Sequence, residues 1–232
     1  MVRRYNRKRI NPPIWQHDYH VLKRLYGGLS NLAQNYLRQK SIILDYGCGT
    51  SPYKELFLPY AARYIKADLV DNEDADIKFG ENEHLPLKDK SIDLIISTQV
   101  LEHVHRVTFY LQECKRLLKK DGILLLSTHG VWPYHPYPAD YHRWTKAGLK
   151  TTLTDAGFMC LKITSVLGPF ASVTQFTLLL IAERLTGKNF FSKIMLTVFS
   201  AVGNGIIWLE DRLFPATQKS DAAVYIVCAK RI

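Results

Sequence analysis

Cysteine is scarce. Cys48, Cys114, Cys160 and Cys228 are the only four in 232 residues, and they form neither a C-x-x-C pair nor the spaced set of a disulfide framework. A disulfide-stapled secreted scaffold is thereby excluded, and a reducing compartment fits. Acid is nearly missing from the first forty residues, where nine Lys or Arg face Asp18 alone; the remaining 192 residues are close to neutral, 22 basic against 20 acidic. The basicity is thus an N-terminal arm, able to attract phosphate on anionic lipid or nucleic acid, and not a property of the whole chain. No apolar run of signal-peptide length follows Arg3, Arg4, Arg7, Lys8 and Arg9. A cytoplasmic location is expected, with peripheral attachment to the inner face of the membrane as a second reading. A hydrophobic content of 47% leaves enough apolar matter for a full core and excludes disordered and fibrous classes.

The patterning predicts strands alternating with helices. Val21, Leu22, Leu25, Leu29 and Leu32 recur at helical spacing between Trp15 and Leu37, with an interruption expected at Gly27-Gly28. Ser41-Ile42-Ile43-Leu44-Asp45 is a short apolar run that feeds a glycine-rich turn, and Tyr64-Ile65-Lys66-Ala67-Asp68 repeats the arrangement about twenty residues on. Further strands are expected at 77–79, 92–97, 123–127, 158–166 and 223–229, and helices at 108–119 and 146–156, with Lys119-Lys120-Asp121-Gly122 closing the first of these. The expected fold is α/β: a Rossmann-like, seven-stranded, mostly parallel sheet with helices on both faces and a last antiparallel strand. Four regions follow: a basic arm and helices over 1–40, a core over 41–166, an apolar helical insertion over 167–215, and the last core strand over 216–232. The insertion includes the uncharged run Ile194 to Leu209, shorter than the roughly twenty residues that span a bilayer, so a lid, a dimer surface or a membrane-facing patch is expected there.

Asp45-x-Gly47-x-Gly49 follows the first strand directly, where the backbone must bend sharply beside a ligand. Asp68 ends the second strand, where a carboxylate can accept both hydroxyls of a ribose. The third glycine of a dinucleotide fingerprint is missing, since Thr50-Ser51-Pro52 follows, and no Lys-Ser or Lys-Thr pair makes a phosphate loop. An adenosine ligand without pyrophosphate is indicated.

The run Ile43 to Thr50, then Asp68, then Leu85-Pro86-Leu87 to Ser91-Ile92-Asp93-Leu94-Ile95, then Leu101-Glu102-His103-Val104, then Leu117 to Gly122 resembles the class I S-adenosylmethionine-dependent methyltransferases of the small-molecule, type 11-like kind. That resemblance implies S-adenosylmethionine as cofactor. It places Asp45, Gly47, Cys48 and Gly49 around the methionine part, Asp68 on the ribose, Glu81 and Asn82 at the adenine, and Thr98 and Gln99 beside the sulfonium. Glu81-Asn82 departs from the Asp-Ala step usual at the adenine position. The stretch Pro136 to Thr145 is similar to one in bacterial members associated with glycan assembly, which implies a small-molecule, glycan or lipid-linked acceptor. Methyl transfer is an in-line displacement, so positioning dominates and a base is needed only for a protonated nucleophile. His129 and His135 are the candidate bases, and Trp132, Tyr134, Asp140, Tyr141 and Arg143 the candidate acceptor contacts, with Asp140 alternatively capping the next helix. Glu102-His103 resembles half of the Glu-x-x-Glu-His metal ligand set of some related O-methyltransferases and small-RNA methyltransferases, but Gln99 in the first position is a neutral, poor ligand and no metal is expected. Two other readings stay open: an RNA methyltransferase, which the basic arm permits, and a non-catalytic cofactor-binding scaffold.

Overall fold

The computed structural model of the chain describes residues 2–187, 189–217 and 221–232, with side chains from residue 6 onwards. In chain order the elements are α1 (Val2–Ile10), α2 (Tyr19–Tyr36), β1 (Ser41–Tyr46), α3 (Lys54–Phe57), β2 (Ala61–Leu69), β3 (Ile77–Phe79), β4 (Ile92–Thr98), α4 (Val107–Leu117), β5 (Leu118–His129), α5 (Lys146–Asp155), β6 (Phe158–Val166), α6 (Pro169–Leu185), α7 (Phe190–Leu213) and β7 (Val224–Arg231). The seven strands form one sheet in the order β3-β2-β1-β4-β5-β7-β6. Neighbours from β3 to β5 run parallel, and β7 lies antiparallel between β5 and β6.

Each central strand is buried on both sides, and its alternation sends successive residues into two cores. Leu44, Ile95, Leu124 and Val227 meet α4 and α5 on one face; Ile43, Leu94, Leu125 and Ile226 meet α2 and the α6–α7 pair on the other. The order reverses at β1, which pairs with β2 on one side and β4 on the other. At such a switch point the loops leaving the carboxyl ends of adjacent strands diverge and open a crevice.

Three expectations need correction. Helix α2 runs unbroken through Gly27-Gly28, because burial of Leu25, Leu29 and Leu32 outweighs the glycine penalty. A Cβ on Gly28 would meet Ile226 Cδ1 at 2.5 Å, so the glycine is what lets α2 lie close to β7. Lys119 to Gly122 does not close a helix but lies within β5: Ile92 pairs with Leu118 and Leu94 with Ile123, so these four residues bulge out of register, with Asp121 at φ 67°. Asp140 is not the cap of α5; Thr145 takes that place and accepts from the Gly148 N–H.

The insertion forms α6 and α7, with Lys188 between them outside the described residues. Polar contacts pin the pair to the core. Asp211 accepts from the Gly168 N–H at 2.7 Å and pairs with Arg24 at 2.5 Å. Asn204 donates to the carbonyls of Ile14 and Gln16 at 2.6 and 2.9 Å, and Gln175 to that of His17 at 2.9 Å. The chain between α1 and α2 is thereby fixed against the insertion.

Candidate active site

A cavity of about 830 Å³ opens at the carboxyl ends of β1 to β5, a size that suits a small-molecule site. Its first wall is the bend after β1. The N–H groups of Gly47 and Cys48 both donate to the Ala67 carbonyl of β2, at 2.9 and 3.1 Å, which ties the bend to the neighbouring strand. Gly47 has φ +77°, and a Cβ there would meet the Val100 side chain at 2.6 Å; both conformation and space demand glycine. Gly49 has φ +51° with nothing within 4 Å of an added Cβ, so its backbone borders open space in the cavity.

Asp68 stands opposite, at the end of β2. Its Oδ2 accepts from the Gly49 N–H at 2.7 Å and from Asn72 Nδ2 at 2.7 Å, while Oδ1 accepts from the Leu69 N–H at 2.8 Å. The glycine bend and the carboxylate thus meet in one cavity. Glu81 and Asn82 beyond β3, and Thr98 and Gln99 beyond β4, line it as well. Gln99 has φ 57°, held by its N–H on the Ser127 carbonyl at 2.9 Å and its side chain on Ser127 Oγ at 3.0 Å. Burial raises the Cys48 thiol to about 12, so at neutral pH it lines the wall as a neutral group.

Asp45 is placed differently from the sequence reading. It is absent from the cavity wall and lies buried behind the bend, accepting from Tyr64 Oη at 2.7 Å. Burial raises its carboxyl to about 7 despite that hydrogen bond. The unfolded chain releases this proton near pH 4 and the folded protein near 7, so the penalty of ionising Asp45 grows as pH rises through that window and is constant above it. Asp45→Asn is expected to raise Tm at pH 8 by about 3 °C or more relative to its effect at pH 5. Equal shifts at both pH values in thermal melts would dismiss the buried-carboxylate account.

The acceptor side is built by the loop after β5. The His129 ring is 3% exposed and stacks on Trp132, centroids 4.5 Å apart and planes within 3°. Burial, with the nearby His135 and Arg143, holds it well below the usual histidine range, so the ring is neutral. Its Nδ1 lies 3.0 Å from Oε1 of Glu102, itself fully buried and raised by that burial to about 7. His135, Trp132, Tyr137 and Pro138 complete this side of the cavity.

The other residues picked for the acceptor serve the loop instead. Both oxygens of Asp140 accept from the Arg143 guanidinium at 2.5 Å, and Arg143 also donates to the carbonyls of Trp132 and Pro133 at 2.9 and 2.6 Å. Against the opposing effect of burial, this pairing holds the Asp140 carboxyl far below its ordinary range. Tyr134 and Tyr141 are 70% and 47% exposed and lie outside the cavity.

The N-terminal helices were not foreseen at the site. Arg9, Asp18, Val21, Leu22 and Leu25 wall the cavity, and Asn6 both donates to the Thr50 carbonyl at 2.8 Å and accepts from Thr50 Oγ1 at 2.6 Å. The basic arm is therefore a helix bonded to the glycine bend. No described residue of α6 or α7 lines the cavity, so of the three readings of the insertion the lid is not met, and α1 and α2 supply the cover. The apolar spacing of Val21, Leu22 and Leu25 signalled a buried helix face but carried no sign of what it covers.

With this geometry in hand, likeness to known proteins is informative. Residues 44–126 match the profile of a family described as "Methyltransferase domain". Over 143 residues the chain is 29% identical to the "Probable S-adenosylmethionine-dependent methyltransferase" of Mycolicibacterium smegmatis, covering 55% of this chain and 54% of that protein. It is 29% identical to the malonyl-[acyl-carrier protein] O-methyltransferase of Yersinia pestis, over 38% of this chain and 36% of the other. The chain spans about half the length or less of these curated relatives. Among solved structures, an S-adenosylmethionine-dependent methyltransferase of Archaeoglobus fulgidus superposes with a TM-score of 0.56 at 18% identity, covering 99% of each chain. The [4+2]-cyclase SpnF superposes at 0.59 with 16% identity, covering 90% of this chain and 83% of that one. The same fold therefore also hosts a cyclase, and the reaction has to be read from the site. Residues 44–126 are thus similar to the methyltransferase domain family, and they lie within a Rossmann-like, seven-stranded fold.

Proposed function

We propose that the chain is an S-adenosylmethionine-dependent methyltransferase acting on a small amphiphilic acceptor, lipid-linked or glycan-bearing. The observation that carries this reading is the direct bond between the two halves of the nucleoside site, Gly49 N–H to Asp68 Oδ2 at 2.7 Å, in a cavity that continues to the His129–Trp132 stack. The residues present fit the cofactor: a bend whose two glycines are required or left open, a ribose-accepting carboxylate, Glu81 and Asn82 for the base, and Thr98 and Gln99 beyond β4. When bound, the cofactor supplies an electrophilic methyl group. The protein holds the acceptor in line with it, excludes water through α1 and α2, and offers neutral His129 to take a proton from an acceptor hydroxyl or amine. The printed names of the relatives, S-adenosylmethionine-dependent and O-methyltransferases, support the same assignment. Calorimetry with S-adenosylmethionine followed by a labelled-methyl screen of lipid and aqueous extracts tests it. Product S-adenosylhomocysteine formed with the lipid fraction is expected; formation only with RNA would favour the nucleic-acid reading, and cofactor binding without turnover a scaffold.

The lipid side of this reading rests on α7. Phe190, Phe191, Ile194, Val198, Val202 and Trp208 are 45% to 77% exposed and lie on its outward half. Among the described residues α7 is the one helix long and apolar enough to cross a membrane, with 28% of its most apolar window buried. The bonds of Asn204 and Asp211 to the core fix its inner side, which favours lying in an interface over crossing it. Arg212 lies 5.7 Å over the Trp208 ring, and the N-terminal cations suit anionic headgroups. These features support our reading of a cytoplasmic protein attached peripherally to the inner face of a membrane. Co-sedimentation with vesicles containing anionic phosphatidylglycerol is expected to fall about tenfold in Val198→Glu with Trp208→Glu, since each large apolar side chain left in water forgoes roughly 1.5–3 kcal/mol. Unchanged sedimentation, or loss of a dimer instead of loss of vesicle binding, would refute the lipid assignment.

A further inference from the structure

Methyl transfer leaves one cluster unused, two of whose three residues, His103 and His135, line the cavity. Glu102, His103 and His135 each offer one donor atom, and the three donors lie within 4.8 Å of one another. Two separate segments bring them together: Glu102 and His103 follow β4, while His135 comes from the loop after β5. Glu102 is fully buried. Its Oε2 accepts from Thr128 Oγ1 at 2.9 Å, but Oε1 has no hydrogen bond; it faces His129 Nδ1 at 3.0 Å, out of line. His103 sets Nδ1 against the Ala139 carbonyl, whereas the buried His135 Nδ1, 3.3 Å from the Asp140 carboxylate, makes no hydrogen bond. His103 therefore keeps Nε2 for a further partner and His135 has a buried nitrogen without one, with the two rings edge to face at 4.9 Å. A carboxylate oxygen and an imidazole nitrogen both buried without a hydrogen bond, beside a second imidazole held at Nδ1 by a carbonyl, are an arrangement in which such side chains bind a metal ion.

We propose that Glu102, His103 and His135 bind a divalent transition-metal ion, zinc foremost, with an open coordination position facing the cavity. Two imidazoles and a carboxylate are a borderline, tetrahedral-tolerant set that suits zinc or cobalt(II) and is poor for calcium or magnesium. Bonds of about 2.0–2.2 Å put donors roughly 3.3–3.5 Å apart, which small rotations of the two rings achieve. The open position takes an oxygen of the acceptor and favours its deprotonated form; this part rests on the methyltransferase reading, whereas metal binding itself does not.

The test titrates cobalt(II) into metal-free, full-length protein and follows its visible absorption, with zinc titrated by calorimetry. Intense tetrahedral bands and zinc binding at micromolar Kd or tighter are expected. His103→Ala, His135→Ala and the isosteric Glu102→Gln should each weaken binding about tenfold or more, with folding checked by circular dichroism. His105→Ala, at a cavity residue outside the cluster, should change nothing. Binding weaker than millimolar, or bands and affinity that persist in both histidine variants, overturns the site. Calorimetry with S-adenosylmethionine on the same sample separates the two readings: cobalt bands without cofactor binding defeat the methyltransferase assignment alone, and the converse defeats the metal site alone.

Discussion

Replacing Asp68 with alanine is expected to weaken S-adenosylmethionine binding by about 100-fold or more. Two hydroxyls donating to one carboxylate make charge-assisted bonds of roughly 1.5–3 kcal/mol each, and about 3 kcal/mol corresponds to two decades in Kd. The same carboxylate holds the Gly49 N–H and Asn72, so the alanine variant also loosens the bend. Asp68→Asn separates the effects: its amide oxygen still accepts from Gly49 while the charge facing the ribose is gone. A loss of at least tenfold in Asp68→Asn, with Tm within a few degrees of the parent, is the expected calorimetric result. An affinity unchanged in both variants would remove Asp68 from the nucleoside site.

Replacing His129 should act on the chemical step. A positioned general base contributes typically 10² to 10⁴ in rate, so His129→Gln is expected to lower single-turnover methyl transfer by about 100-fold or more. Cofactor Kd should stay within about twofold, because the ring lies on the acceptor side with Trp132. The split between rate and binding is the diagnostic, since a ring that merely braced the loop would shift both. A rate reduced less than tenfold, with ordinary cofactor binding, would show that the acceptor needs no base from this residue.

Much of the site was legible in the chain because its residues follow strand ends. A parallel strand fixes where its carboxyl end lies, so Gly47, Gly49 and Asp68 could be assigned to one edge by counting from apolar runs, while Thr98 and Gln99 came from the family resemblance, and the structure brings all five to the cavity. Asp45 failed the same logic by alternation: it sits one position before Tyr46, and its side chain turns behind the sheet edge to Tyr64. The β5–α5 loop misled for a different reason. Asp140 and Arg143 look like ligand groups in sequence, but three residues apart in a proline-stiffened loop they satisfy each other and the loop carbonyls.

The sequence by itself determined the α/β order of elements, the glycine bend, the acid at the end of the second strand and the helical character of the insertion. These rest on local spacing, which each segment carries within its own length. Only the tertiary structure decided that α1 and α2 cover the cavity, that Asn6 reaches Thr50, that α7 keeps an apolar face outward and that His135 meets Glu102 and His103. Contacts between residues thirty to two hundred positions apart depend on how packed layers meet, and no periodicity along the chain records that meeting.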